Sequence, residues 1–252
     1  MCCTEKVDQG AATNMDNAVQ DDIWEWAKNT FPRSKTENHL NHLKLEQYKG
    51  CFVRPDTCDS YTVTEVRRSY GWLNLEGKRV LDIGCNIGTF SRMALEKGAS
   101  SVESYEPDED NSEIAKLNAS EADIRTAALI SGKEKEINLY INPTSKNHGN
   151  FSTTEYRGRE PHTVAAHNFE EVLNRFQPQI IKMDCEGSEY DLLKTPLPDC
   201  VEEISIEVHL MKKHWRNIEA IKLVELFVDW ETVVKPTIGK QNWHTMAGYR
   251  RK

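Results

Sequence analysis

Apolar and polar positions along this chain follow two rhythms. Short apolar runs of strand length recur between segments whose apolar residues fall at helical spacing. The alternation becomes regular from residue 78. KRVLDIG predicts a strand, Thr89–Lys97 a helix closed by Gly98, SSVESYEP a second strand and EDNSEIAKLNASEA a second helix. DIRTAALI predicts a third strand, and EKEINLYI and HTVAAHNF two more, separated by a polar loop from Asn142 to Glu160. FEEVLNRF then predicts a helix, QIIKMD a strand, SEYDLLK a helix, EEISIEVHL a strand and Ile218–Phe227 the last helix. ETVVKP and HTMAGYRR are expected to close as a hairpin around Gly239. Strands alternating with helices mean an α/β fold whose mostly parallel sheet is covered on both faces.

The part before residue 71 is less regular. Residues 1–20 are polar and expected to be flexible. In DDIWEWAKNTF, Ile23, Ala27 and Phe31 share one helical face and Pro32 stops the run, so a short amphipathic helix is expected against the main domain. CFVRPDTCDSYTVTEVRRSYGWLNLEG has a helix-like middle and ends in a turn at Gly77. The division that follows is a flexible segment 1–20, a helical extension 21–70 and a main domain 71–252.

Composition narrows the classes. With 252 residues, 38% apolar and 29% charged, the chain suits one folded domain with a small appendage. No apolar run approaches the ~20 residues of a membrane span, and the start lacks the apolar core of a signal peptide. Neither membrane insertion nor secretion is expected. Thirty-two basic against forty acidic residues give −8, a balance that does not attract phosphate backbones unless a local basic patch exists. The seven cysteines (2, 3, 51, 58, 85, 185 and 200) are odd in number and contain no C-x-x-C. They read as reduced thiols in a cytoplasmic setting.

Ligands of open α/β sheets bind beyond the carboxyl ends of the strands. The first regular strand ends in VLDIGCNIGTF. Asp82 closes the apolar run, and Gly84 and Gly88 flank a tight turn into a helix whose N-terminus offers free N–H donors. Glu106 ends the second strand twenty-two positions after Gly84, placed to accept hydrogen bonds from both hydroxyls of a ribose. The glycine spacing is neither that of a dinucleotide fold nor that of a P-loop. An acid pointing into the turn suits a cationic amino-acid ligand better than a pyrophosphate.

Here the sequence resembles the class I S-adenosylmethionine-dependent methyltransferases, and more narrowly the FkbM family, whose members O-methylate hydroxyl groups. Four blocks carry the likeness: DIGCNIGTFS, YEPDEDNSEIAKLN, IIKMDCEGSEYDLL and ISIEVH. Asn86-Ile87-Gly88, Glu106-Pro107 and Lys182-x-Asp184-x-Glu186-Gly187-x-Glu189 match the family pattern, and the likeness spans roughly Val53 to Val208. The resemblance implies a Rossmann-like fold with a seven-stranded sheet and S-adenosyl-L-methionine as cofactor. Asp82, Gly84, Cys85, Asn86 and Gly88 would surround the cofactor's methionine part, Glu106 would hold its ribose, and Pro107 with Thr126–Ala128 would flank the adenine. Cys85 stands where the family often has alanine, which matters little if only its backbone is used.

Methyl transfer from a sulfonium needs alignment and removal of the acceptor's proton, since the cofactor supplies the activated group. IIKMDCEGSEY meets that need at the end of a strand. Asp184 and Glu186 are candidates for the base or for orienting the substrate. Lys182 shares a face with Asp184 by period two, as an ion-pair partner or a substrate contact. In ISIEVHL, Glu207 and His209 alternate with apolar neighbours, and His209 is a second candidate base. The Asp184–Glu186 pair also suits a hard cation, but no third ligand is evident. His39-x-x-His42 reads as a helix face, so no metal is expected. The Asn142–Glu160 loop, with Asn150, Ser152, Tyr156, Arg157 and Arg159, is either a specificity loop or a solvated one.

The leading expectation is an O-methyltransferase acting on a hydroxylated small molecule or sugar. A nucleic-acid methyltransferase would need a basic groove, for instance from Arg67, Arg68, Arg157 and Arg159. A non-catalytic binding protein would have no reason to keep the glycine turn and Glu106. Oligomeric state stays open.

Overall fold

Two-residue turns, glycine stops and side-chain caps set the element boundaries. The computed structural model describes residues 43–141, 160–210, 214–238 and 244–252. The expected helix at 21–31, the His39–His42 pair, nearly all of the polar loop and the turn at Gly239 lie outside these residues.

Glu46–Tyr48 (β1) and Cys51–Val53 (β2) pair antiparallel across Lys49 and Gly50, both at positive φ. The expected helical extension is therefore a hairpin at this point, because two left-handed residues in succession reverse the chain. Helix α1, Asp59–Tyr70, follows. Arg54 joins the hairpin to the rest of the fold through buried contacts with both Asp59 carboxylate oxygens (2.9 and 3.0 Å) and with Asn111 Oδ1 (2.7 Å).

Then come β3 (Arg79–Ile83), α2 (Thr89–Glu96), β4 (Ser101–Tyr105), α3 (Glu109–Asn118) and β5 (Asp123–Arg125). The expected third strand breaks after β5. The Ala127 N–H folds back onto the Arg125 carbonyl at 2.9 Å, and Ala128–Ile130 (β6) leaves for a second sheet. That sheet has the order β6-β8-β7, with Glu136–Ile141 as β7 and Glu160–Asn168 as β8. The chain returns through α4 (Phe169–Phe176), β9 (Ile180–Met183), α5 (Glu189–Leu192), β10 (Glu203–His209), α6 (His214–Glu225), β11 (Glu231–Val234) and β12 (His244–Arg250).

The main sheet is seven-stranded in the order β11-β12-β10-β9-β3-β4-β5, and β12 runs antiparallel to both its neighbours. Alternation along β3 and β9 serves the two faces. Val80 and Ile180 pack with Phe90 and Met93 of α2 and with Val66 and Tyr70 of α1. Leu81, Ile83, Ile181 and Met183 pack with Phe169, Leu173, Leu223 and Phe227 from α4, α6 and the segment after α6. Among the described residues no helix is long and apolar enough to cross a membrane.

Helix α4 illustrates the local logic. Asn168 Oδ1 accepts the Glu171 N–H at 2.9 Å, while its amide nitrogen donates to the Gly132 carbonyl at 2.7 Å. Asn168→Ala is expected to cost about 1–2 kcal/mol, read as a lower urea midpoint at unchanged slope. An unchanged midpoint would mean that the cap contributes nothing.

Candidate active site

Chain order reverses direction across the sheet between β3 and β9, which opens a crevice at their carboxyl ends. A cavity of about 580 Å³ lies there, of a size suited to small ligands.

The turn after β3 forms its floor. Gly84, Asn86 and Gly88 all have positive φ. A Cβ on Gly84 would stand 1.8 Å from the Asp184 carbonyl oxygen, so this close approach of two strand ends requires glycine. The N–H groups of Gly84 and Cys85 both donate to the Tyr105 carbonyl, at 2.9 and 3.0 Å. Glu106 is buried, and its two oxygens accept the N–H groups of Asn86 (2.8 Å) and Asp108 (3.0 Å). Burial pushes its carboxyl up to about 7; the two amide bonds offset only part of that shift.

Of the residues expected around a cofactor, Gly84, Cys85, Asn86, Glu106, Pro107 and Ala128 line the cavity, and Ala127 joins them. Two take other places. Asp82 is fully buried on the Val80 face of β3, where its Oδ2 accepts the Ser91 hydroxyl at 2.6 Å and its Oδ1 lies 3.2 Å from Lys182 Nζ. Gly88 caps α2, and a Cβ there would come within 2.8 Å of Ala115 Cα. Both shape the turn rather than its ligand surface. Thr126 is turned away as well, with its hydroxyl 2.6 Å from that of Ser112.

The opposite wall is built from the ends of β9 and β10. Lys182, Asp184 and Glu186 all line the cavity. Lys182 is 4% exposed. Its Nζ donates to the Gly84 carbonyl at 2.5 Å and lies 3.2 Å from Asp82 and 4.0 Å from Asp184. Burial opposes its charge, but these carboxylates outweigh burial and hold the ammonium firmly protonated. Asp184 is pushed up to about 6 and Glu186 to about 8, in both cases chiefly by burial; Glu207 adds to it at both, and Asp184 also at Glu186.

His209 sits behind this wall rather than on it. Its Nε2 is 3.4 Å from Glu186 Oε2, 3.7 Å from Glu207 Oε1 and 3.9 Å from Asp184 Oδ1. Its Nδ1 lies 3.3 Å from Glu189 Oε1, a charge contact rather than an aligned hydrogen bond. Glu189 is fully buried, and the same oxygen accepts the His209 backbone N–H at 2.8 Å. Burial works against the imidazolium, yet Glu189, Glu186 and Asp184 raise its pKa well above the usual histidine range. The surrounding carboxylates favour the imidazolium, and His209 does not line the cavity, so it stands behind the acids that face an acceptor.

Two contributors escaped the sequence reading. His244 on β12 reaches the wall and bonds Glu207 Oε1 through Nδ1 at 2.7 Å. Thr62, Glu65, Val66 and Ser69 of α1 close the cavity from the other side, with Tyr61 beside them and Tyr70 at the helix end; their i, i+3, i+4 and i+7 spacing marks one helix face without saying what that face meets. Arg67 and Arg68 form ion pairs with Glu96 and Glu65 and do not line the cavity. Among the described residues the wall carries five carboxylates (Glu65, Glu106, Asp184, Glu186 and Glu207) against Lys182 and His244.

A mostly parallel seven-stranded sheet with an antiparallel strand near one edge and this crevice at the β3–β9 reversal form a Rossmann-like fold of the class I methyltransferase type. The chain belongs to the methyltransferase FkbM domain family, whose model matches residues 82–235, and as such it uses S-adenosyl-L-methionine. No curated protein matches it significantly. Among solved structures it is similar to a magnesium protoporphyrin IX methyltransferase from Synechocystis PCC 6803 (12% identity, TM-score 0.42, 96% of this chain and 100% of that one). It is also similar to a ribosomal protein L11 methylase from Lactobacillus delbrueckii subsp. bulgaricus (12%, 0.44, 82% and 91%). At such identities and TM-scores these likenesses bear on neither acceptor nor mechanism.

Proposed function

We propose that this chain methylates a hydroxyl oxygen of a small molecule or sugar. The observation that carries this reading is the composition of the cavity wall, with five carboxylates and one lysine beside a glycine turn. Such a wall lacks the cationic surplus that holds phosphates and suits a neutral, hydroxylated acceptor together with a cationic sulfonium.

The residues fit the cofactor. Each oxygen of Glu106 spends one lone pair on a backbone N–H, and the carboxylate keeps further acceptor capacity toward the cavity for ribose hydroxyls. Gly84, Cys85 and Asn86 would follow the methionine part, and Pro107, Ala127 and Ala128 the adenine. The bound cofactor supplies a methyl group on a sulfonium sulfur. Asp184, at the strand end beside Gly84, would take the proton of the acceptor hydroxyl as that hydroxyl is methylated.

Transfer of labelled methyl into a panel of sugars and hydroxylated small molecules, with RNA and DNA oligonucleotides alongside, tests the reading. Label in a base-stable ether of a small acceptor is expected. Label confined to oligonucleotides would overturn it.

Glu106→Ala is expected to weaken S-adenosylhomocysteine binding by about 1.5–3 kcal/mol. The pH dependence has a definite sign. Burial pushes the folded carboxyl up to about 7 from the ordinary carboxyl value of 4.5, so its ionisation destabilises the unliganded fold as pH rises through that window. Ribose hydroxyls favour the ionised form, so affinity rises from pH 6 to pH 8, by about tenfold if only that form binds. Calorimetry on wild type and Glu106→Gln checks this: a slope that persists in the glutamine variant belongs to some other group.

A further inference from the structure

We propose that Glu207, His209 and His244 form a binding site for a divalent first-row metal ion such as Mn²⁺ or Zn²⁺ on the acceptor side of the cavity. Two neighbouring strands, β10 and β12, assemble it. Glu207 and His209 are two apart on β10 and so share a face. The antiparallel register pairs His209 directly with His244 of β12, and the two rings stand 6.2 Å apart at 85°. One donor atom from each of the three residues lies within 4.8 Å of the other two. Glu186, from the turn after β9, brings a further oxygen to 3.4 Å from His209 Nε2.

Donor atoms about 2.0–2.2 Å from a shared ion stand about 3.0–3.6 Å from one another. The distances from His209 Nε2 to Glu207 and Glu186, 3.7 and 3.4 Å, need to change by only a few tenths of an ångström to meet that geometry.

A second, independent feature is the buried Glu189 carboxylate 3.3 Å from the other nitrogen of His209. A carboxylate behind the far nitrogen of an imidazole fixes its tautomer and directs the near lone pair outward, the arrangement found behind metal-bound histidines. Here Nε2 faces the oxygens of Glu186 and Glu207 at 3.4 and 3.7 Å, so an ion would take the place that the imidazolium proton holds in the ion-free protein, releasing that proton on binding. Two imidazoles with carboxylates suit borderline ions better than Mg²⁺ or Ca²⁺, which favour all-oxygen shells. Because Glu186, Glu207 and His244 line the cavity, positions on the ion not taken by protein remain for an acceptor oxygen. That role rests on the O-methyltransferase reading; the binding itself does not.

The full chain, stripped with a chelator and dialysed, is titrated with Mn²⁺ and with Zn²⁺ by calorimetry, and the same samples are titrated with S-adenosylhomocysteine. One ion per chain is expected. His244→Ala, at an exposed position that spares the fold, is expected to weaken ion binding by about tenfold or more and to leave S-adenosylhomocysteine affinity unchanged. Ion binding with these properties supports the site even if S-adenosylhomocysteine fails to bind, a failure that would count against the cofactor reading alone. If S-adenosylhomocysteine binds without stoichiometric uptake of either ion, or if His244→Ala takes up ion as tightly as wild type, the site is refuted and the histidines serve only as protonated partners of the acids.

Discussion

Lys182→Met is expected to lower the thermal midpoint by about 10 °C, from a loss of about 3–5 kcal/mol. Methionine matches the lysine stem in length and apolar character, so the change isolates the ammonium. That group lies between Asp82, which has no exposed surface, and the Gly84 carbonyl. Removing it leaves Asp82 with the Ser91 hydroxyl as its remaining side-chain partner, an uncompensated charge in the core of the sheet. A double-variant cycle separates this cause from simple misfit. Lys182→Met with Asp82→Asn removes both charges and should recover much of the loss, since neutral replacement of a buried pair is tolerated far better than removal of one partner. A single variant as stable as wild type would mean that the pair contributes no net stability. S-adenosylhomocysteine binding should also weaken in the single variant, because the Gly84 carbonyl loses its tether.

The frame of the fold was legible because its signals are local. The Val80–Leu81 and Ile180–Ile181 runs, the stop at Gly98 and the acid at Glu106 each declare an element or its end within a few residues. Two kinds of feature were not legible. One is a turn without its usual residue: the β1–β2 turn uses Lys49 at positive φ where Asn or Asp would have announced it, and β5 parts from β6 at Thr126–Ala127 with no glycine or proline to mark the break. The other is side-chain placement set by sheet order. Asp82 ends its strand like a ligand-facing acid, yet its pleat directs it toward α2 and Ser91. His244 is remote in sequence from His209 and becomes its neighbour only because β12 inserts antiparallel between β10 and β11. The wall contributed by α1 was hidden in the same way, since no local pattern says which face of a helix meets a ligand.

Asp184→Asn is expected to slow turnover by about 10²–10⁴-fold while leaving S-adenosylhomocysteine affinity within about twofold of wild type. The Asp184 N–H is bound to the Ile83 carbonyl at 2.9 Å, and its own carbonyl oxygen packs on Gly84, so the backbone that sets the cradle is untouched by a side-chain change. The carboxylate itself stands 4.0 Å from Lys182 and 3.9 Å from His209. Two cations thus orient it without either making a direct hydrogen bond. Asparagine keeps the shape and loses the ability to take a proton. Under the proposed mechanism the loss is large but incomplete, because alignment of acceptor and methyl group, worth about 7–11 kcal/mol, outweighs the roughly 3–5 kcal/mol of a positioned base. The kinetic signature is therefore a fall in kcat with little change in the acceptor's KM. Metal titration of the same variant guards against a different cause: an unchanged ion stoichiometry with slow turnover assigns the effect to proton removal, whereas a lost ion would move Asp184 into the metal site. If Asp184→Asn turned over at the wild-type rate, the base would have to be sought at Glu186, the other acid of the same turn that faces the cavity.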